Sequence, residues 1–493
     1  MARFQFIGGS YQSQSPFADQ EQTINWYPEA MESPGAKTAM ALYPTPGISL
    51  FSSPDSGTNH RTVAAVAVQG RAFIVTNDGN ATGGLYEISS NGTATLRGTI
   101  VTDSTNNVFI VAGNFYLFLT SGGHAYSFKL ATNTLTDVTA SLAVANPSCC
   151  FFIDGYFGVL FANTNEFQIS ALENPTSWSG VDAAQVSVFP DNLVGCLVDH
   201  RVLWLWGDQH AQAYFDSGDP TFPLSVVPGA MIEMGLASPT SPIRMDNSVF
   251  WLGADERGMG MAWRANGYTP VRISNHAIEY QWSQYPSGVT DAVSWTYQDL
   301  GHTFWMIWFP SGNATWCYDA ATNLWHQRGY WNGTSFDAHY ARNHMFCFGK
   351  HLVGSRVDGV VYQMSAGTLT DLGNTITRVR TAPAISTEMD WMFHSQLTID
   401  MDLNQVSNQS ATLTLSWSDD GGNTWTTPQA LSPGTQTSTV ARVVMRRLGR
   451  SRQRVYKLQA QGAVPWRILD AYAIATPGFQ PVPRLTKYFG QMQ

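Results

Sequence analysis

The chain has 493 residues and a formal net charge of −9, with 44% apolar but only 13% charged side chains. That length is too great for one ordinary core, so two or three domains are expected. Uncharged polar residues fill the gap without forming low-complexity tracts. Disorder is therefore excluded, and a charge-poor surface is what wide contacts with neighbouring subunits would require.

Residues 1–60 read as an N-terminal arm and extended segment, punctuated by prolines in "NWYPEAMESPGAK" and "ALYPTPGISLF". The start, "MARFQFIGGSYQ", has no basic region followed by an apolar run, so no signal peptide is expected. No apolar stretch reaches the roughly 18 residues of a membrane-spanning helix. Synthesis in a host cytoplasm and no membrane span are the expectations. Cys149, Cys150, Cys196, Cys317 and Cys347 contain no CxxC pair and are odd in number, so neither a disulfide framework nor a zinc site follows. They read as small core residues of a protein folded in a reducing compartment.

Residues 61–374 show short apolar runs broken by Gly/Asn/Asp clusters, as in "NVFIVAGNFYLFLTSGGHAYSFKL". This is the pattern of antiparallel meanders with tight turns, and helical periodicity is hard to find. Asp78-Gly79 and Asp154-Gly155 sit where type I′ hairpins want them. "AYSFKLATNTLTDV" resembles "WCYDAATNLWHQRG", and "GLYEISSNGTATL" resembles "GVVYQMSAGTLTDL". Successive meanders recur at about 40–50 residues, the blade period of a β-propeller. The reading is an all-β chain with six or seven propeller-like blades, stacked sandwiches being the alternative. Asn80, Asn91, Asn313 and Asn332 begin glycosylation-like sequons but read as turn residues.

From residue 375 to 480 cleanly alternating runs such as "FHSQLTIDMDLN" and "SATLTLSWSDD" predict a C-terminal β-sandwich with one wet face. Residues 481–493 read as a flexible tail.

"SWSDDGGNTW" carries Ser418, Asp420, Gly422, Thr424 and Trp425 at the spacing of the Asp-box of sialidase blade hairpins. Ser and Asp oxygens can accept turn N–H groups and Gly tolerates positive φ, so a structural turn explains every residue. Glycoside hydrolysis needs two carboxylates facing one sugar. Glu166, Glu173, Asp208, Asp216, Glu233, Asp255 and Glu256 are candidates, but no spacing singles out a pair. The histidines, among them His124, His200, His210, His276, His302, His326 and His344, are scattered and show no ligand-like pairing. The sequence therefore points away from an enzyme, and no catalytic, cofactor or metal site is expected. A glycan-binding or glycan-cleaving propeller is the alternative function.

Charge is unevenly spread: residues 376–493 carry a net +5 and the remainder a net −14. Arg442, Arg446, Arg447, Arg450, Arg452 and Arg454 crowd one stretch of the positive end. Arginine forks onto phosphate or carboxylate, so these side chains are candidates for contact with nucleic acid or with a neighbouring subunit.

Three longer runs, "QTINWYPEAMESPGAK" with "YPTPGISLF", "VLWLWGDQHAQAYFDSGDPTFPLSVVPGAMIEMGLASPTSP" and "VFWLGADERGMGMAWRANGYTPVRISNHAIE", resemble the packaged-DNA stabilisation, or tail hub (nozzle), proteins of short-tailed bacteriophages. The resemblance implies a homo-hexameric, propeller-rich tube in the virion tail. Its implied partners are an adaptor ring at the head-to-tail connector, tail fibres or tailspikes, a needle protein, and packaged double-stranded DNA passing through the lumen.

Overall fold

The computed structural model describes residues 2–186, 191–254, 260–387, 390–403, 411–432 and 440–478; the tail expected at 481–493 lies outside them. The chain forms two compact units. One comprises residues 24–27 and 44–377, the other residues 1–23, 28–43 and 378–493. The first sixty residues are therefore shared between the units.

The larger unit is a seven-bladed β-propeller. Five consecutive antiparallel four-stranded sheets span residues 61–101, 108–137, 147–185, 193–232 and 243–272, and a sixth four-stranded meander, residues 293–331, is part of a larger sheet. Each begins with its innermost strand, and the innermost strands of the first and last blades are neighbours, so the blades form a ring. Alternation along the strands puts one side chain in two between adjacent blades. Phe73, Leu117 and Phe128 pack between blades 1 and 2, and Phe250, Trp305 and Trp316 between blades 5 and 6. Trp206 and Trp251 fill the space between blades 4 and 5. All five cysteines are buried and free, Cys149 Sγ lying 3.2 Å from Cys196 Sγ.

Blade 7 is assembled from both ends of the unit. Ala341–Cys347, Lys350–Ser355 and Val361–Ser365 supply three strands, and Gly47–Ser52 supplies the outer fourth. The likeness of "GVVYQMSAGTLTDL" to the blade 1 hairpin suggests a return strand after Ser365. Only Thr370–Asp371 forms there, and it pairs parallel to Gly47–Ser52 on its far side. The N-terminal strand has taken the place of the local one because Ile48 buries completely there. Gly47 leaves room for the Thr368 and Thr370 carbonyls, which a Cβ would meet at 2.7 and 2.4 Å.

The approach of that strand is fixed by two side chains. Asn25, at φ 58°, donates to the Gly329 and Thr377 carbonyls (2.7 and 2.8 Å) and accepts the Gly329 N–H (3.0 Å). Its own carbonyl accepts the Thr45 N–H and hydroxyl. Buried Arg328 donates to the Pro46 carbonyl at 2.8 Å.

Six of the seven hairpins joining the first two strands of a blade are two-residue turns with both φ positive: Gln69-Gly70, Asp154-Gly155, His200-Arg201, Asp246-Asn247, Leu300-Gly301 and Phe348-Gly349. These are the primed turns that match strand twist, as expected for Asp154-Gly155. Asp78-Gly79 differs: it belongs to a four-residue loop in which the Asp78 carboxylate accepts the N–H groups of Asn80 and Thr82. The related "ATN" motifs do share one geometry, with Asn133 and Asn323 both at φ 56° in third-to-fourth-strand hairpins. Among the described residues one α-helix, His276–Ser283, interrupts the strand pattern; Asn275 caps it by accepting the Ile278 N–H, and Trp282 anchors it in the core.

The smaller unit is a β-sandwich. In one sheet Met392–Asp402 lies between Arg467–Pro477 and Val440–Arg446, all antiparallel. In the other Gln453–Gln461 lies between Thr412–Ser418 and Arg378–Thr381. Leu397, Ile399, Leu415 and Leu458 are buried in it. Arg380, fully buried, ties residues 6–23 into this unit. It donates to the Phe6 and Gly9 carbonyls (2.6 and 2.7 Å) and to Thr23 Oγ1 (3.0 Å), and it pairs with Glu21 at 2.5 Å.

Two outcomes follow for stability. Asn25→Ala strands two buried carbonyls and an N–H, so chemical denaturation should show a loss of about 3 kcal/mol. His326 lies buried between Tyr27 and Phe304, and burial pulls its pKa down to about 3. The unfolded chain binds its proton near pH 6.5 and the folded chain does not. Stability should therefore fall by about 1.4 kcal/mol per pH unit for each such histidine as pH drops below ~6.5. His344 behaves likewise, held near 3 by burial and by the neighbouring His351. Calorimetry of His326→Phe between pH 7 and 5 should show a smaller acid loss than the parent chain.

Candidate functional site

The Asp-box occupies the turn after Thr412–Ser418 in the sandwich. Ser418 Oγ accepts the N–H groups of Gly422 (2.7 Å) and Asp420 (3.3 Å) and donates to Asp420 Oδ1 (2.6 Å). Asp420 accepts the N–H and hydroxyl of Thr424 at 2.9 and 2.6 Å. The Ser418 and Thr424 hydroxyls, with turn N–H groups, hold the Asp420 carboxyl down at about 2. Gly421 and Gly422 take φ 71° and 95°, the conformation that side chains resist. Trp425 lies beneath the Lys457 ammonium, 3.9 Å from ring centre, and burial lowers the Lys457 pKa. The turn thus accounts for all these groups.

The arginine stretch divides into two classes. Arg442 donates to Asp400 Oδ1 at 2.7 Å, and Lys37 binds the other oxygen at 2.8 Å, so two exposed cations share one buried carboxylate. The Arg442 and Lys37 hydrogen bonds lower the Asp400 pKa. Arg454 is buried, forks onto both oxygens of Asp419 (2.7 and 2.8 Å), and lies over Trp417 and Tyr456. Its Nη1 also donates to the Leu448 carbonyl, closing the turn that precedes it. These two arginines hold the fold.

Arg446, Arg447, Arg450 and Arg452 are exposed and, among the described residues, have no carboxylate partner. Arg446 donates to Gln396 Oε1 at 3.2 Å, and Arg447 takes φ 60° at the turn toward Gly449. Arg450 and Arg452 both lie over Trp391, 4.7 and 5.3 Å from the ring centre. Phe393, 46% exposed, pairs with Arg450 across the strands. Stacking on an indole face leaves a guanidinium edge free to fork onto an oxyanion. Trp391 and Phe393 went unnoticed in the sequence because they open an amphipathic strand and read as core.

Three of the acids considered for hydrolysis accept hydrogen bonds within strands and turns. Glu166 accepts Gln185, Glu173 accepts Asn114, and Asp216 accepts the Gly218 N–H. Asp208 has its pKa raised by burial and by nearby Asp191. Glu233 follows the last strand of blade 4. Asp255 and Glu256 lie outside the described residues.

Ser418→Ala should lower sandwich stability by about 1–2 kcal/mol, because two turn N–H groups lose their acceptor. Acid should remove the Asp420 contribution as well. A carboxyl with a folded pKa near 2 stabilises fully above its unfolded value of roughly 4 and loses that effect as pH falls toward 2. Denaturant titration of parent and Ser418→Ala between pH 6 and 2 checks both, the variant showing the flatter profile.

Among solved structures, the chain is similar to the extracellular domain of the hybrid two component system BT4673 from B. thetaiotaomicron. The identity is 8%, over 68% of this chain and 45% of that one, with a TM-score of 0.42. It is also similar to the N-terminal domain of Nup159, at 9% identity over 70% of this chain and 98% of that one, with a TM-score of 0.39. No curated protein sequence matches. Residues 2–369 match the family described as bacteriophage P22 Gp10, beta-propeller, and residues 377–475 match bacteriophage P22 Gp10, beta-sandwich. Both matches agree with the observed order of a propeller followed by a sandwich, and the chain belongs to the family of bacteriophage P22 Gp10, the phage packaged-DNA stabilisation or tail hub proteins.

Proposed function

We propose that this protein is a tail hub subunit of which six copies form a ring-shaped conduit below the portal and adaptor rings. The ring retains packaged DNA and lets it pass at ejection. The protein is a structural part of the tail, not an enzyme, and is made in the host cytoplasm before joining the virion. Its partners are the adaptor ring, tail fibres or tailspikes, and a needle protein. The observation that carries this reading is the pair of P22 Gp10 matches lying end to end over residues 2–369 and 377–475.

The charge pattern supports it. A net −14 outside residues 376–493 repels phosphate, which suits a passage through which DNA must slide without sticking. The exposed Arg446, Arg447, Arg450 and Arg452, interleaved with Trp391 and Phe393, have the arginine-and-aromatic composition of protein interface centres. They contact acidic side chains of the neighbouring subunit in the ring.

Mixing the protein with its adaptor ring and imaging the product by electron microscopy tests the assembly. A six-fold ring is expected, and a protein that stays monomeric beside its adaptor overturns the reading. Changing Arg446, Arg447, Arg450 and Arg452 together to Gln should leave the melting temperature of the free chain within about 2 °C, since exposed side chains without a carboxylate partner contribute little. Ring formation should fail. Rings that form normally but leak DNA would assign these arginines to nucleic acid instead. Arg454→Gln, by contrast, should unfold the sandwich, because Asp419, Trp417 and Tyr456 lose their shared partner.

A further inference from the structure

On the propeller, two adjoining cavities of about 370 and 610 Å³ open at the end that carries the first-to-second-strand hairpins of blades 4 and 5. They share Asp199, Asn247 and Ser248, so they form one groove with two lobes. Its volume suits a small ligand of a few rings.

The groove is organised by a side-chain chain. His200 Nδ1 binds Asp199 Oδ2 at 2.7 Å, and its Nε2 binds Asn247 Oδ1 at 2.8 Å. With both ring nitrogens donating, the imidazolium form is favoured, and the Asp199 hydrogen bond raises the His200 pKa. Orienting Asn247 Oδ1 toward His200 leaves its amide N–H groups to point elsewhere. Arg264 is neutralised by Asp246 at 2.7 Å. Arg244, exposed on the second lobe, has no carboxylate partner among the described residues. Tyr268 lines the first lobe and lies 5.6 Å from Trp204, supplying one aromatic wall.

The backbone shows how a polar side chain reaches the groove from the turn of blade 5. Of the six two-residue inner hairpins, four place glycine at the second left-handed position: Gly70, Gly155, Gly301 and Gly349. Blades 4 and 5 use Arg201 and Asn247 there instead, at φ 61° and 56°. Arg201 is accounted for by its ion pair with Asp154 at 2.8 Å on blade 3. Asn247 is the one of the two that lines the groove. Asn adopts this region more readily than other non-glycine residues, so the turn keeps its geometry while presenting a polar side chain to the groove.

The lining excludes most ligand classes. Two carboxylates beside the arginines make it unsuited to a polyphosphate backbone, and its many amides and hydroxyls make it unsuited to an apolar ligand. Planar amides, a carboxylate and one aromatic wall are what hydroxyl-rich rings require: paired donors and acceptors for adjacent hydroxyls, and a face for their C–H groups. The geometry points to a saccharide-binding groove between blades 4 and 5, with Asn247 and Asp199 reading hydroxyls; the Ser248 hydroxyl donates to the Ala265 carbonyl at 2.6 Å and offers only its oxygen. Arg244 selects sugars that bear a carboxylate. The inference stands whether or not the protein assembles as a tail hub, because it rests only on residues within the propeller.

Saturation-transfer and titration NMR on the full chain, with tri-galacturonate and maltotriose as probes, tests it. Tri-galacturonate should bind in the millimolar range and more tightly than maltotriose. Asn247→Gly keeps the turn, since glycine prefers this backbone, and should weaken binding about tenfold with no loss of melting temperature. Arg201→Gly makes the same backbone change outside the groove and should leave binding intact. Absence of binding by both probes, or binding that Asn247→Gly does not alter, overturns the groove. Equal affinity for the two probes, or a preference that survives Arg244→Gln, overturns the selecting role of Arg244.

Discussion

Blade 7 holds the propeller in place. Its outer strand, Gly47–Ser52, precedes blade 1 in sequence, so the ring is closed by main-chain hydrogen bonds between residues some three hundred positions apart. Had Val361–Ser365 been followed by its own return strand, blades 1 and 7 would be joined only through side-chain packing and contacts such as the 2.9 Å bond from Thr62 Oγ1 to the Ser355 carbonyl. Closure by a distant strand makes the last blade form only when both termini of the unit are present. That has an entropic cost, which grows slowly with the length of chain enclosed. Asn25 and Arg328 offset part of it by fixing the segment that leads into the strand.

The sandwich uses its charges in a comparable way. Arg380 and Arg454 are buried and each satisfies several acceptors, a carboxylate included. Removing any one partner would strand a buried charge, which is why such groups are held by multiple bonds rather than by one. Asp400 shows the reverse arrangement, a buried acid served by the exposed cations Arg442 and Lys37. The segment containing Lys37 is thereby tied to a strand more than three hundred and fifty residues later. The arginines that are left over are the ones at the turn around Gly449 and on the rim beside Trp391.

Much of this was legible in the sequence because β-hairpins write their turns in residue type. The recurring meanders, the blade-length period, the "ATN" turns and the Asp-box all depend on local chemistry, and local chemistry survives in a single sequence. What was not legible is non-local. Nothing in "YPTPGISLF" says which of seven blades it completes, because the strand it pairs with, Val361–Ser365, lies some three hundred residues away. The helix at His276–Ser283 had an Asn cap in "SNHAIE", but one helix of eight residues gives too short a period to stand out among strands. The six arginines of the basic stretch look alike on paper. Which are committed to the fold depends on Asp400 and Asp419, and those lie in other strands.

The scarcity of charge acquires a physical meaning once these partners are known. Glu87 takes both Arg71 and Arg97, Glu279 takes Arg272, and Asp402 takes Arg467. With Arg380, Arg442 and Arg454 likewise engaged, a large part of an already small set of basic side chains is neutralised within the chain itself. Among the described residues these pairings engage many of the cations, and single apolar side chains such as Val181, Leu300 and Phe346 are exposed. Internal pairing leaves the net charge unchanged, so the acidic excess keeps its long-range effect while the cations act mainly at short range. Exposed arginine without a carboxylate partner is concentrated beside Trp391, so under the proposed reading that edge is where a short-range, oriented contact would be made.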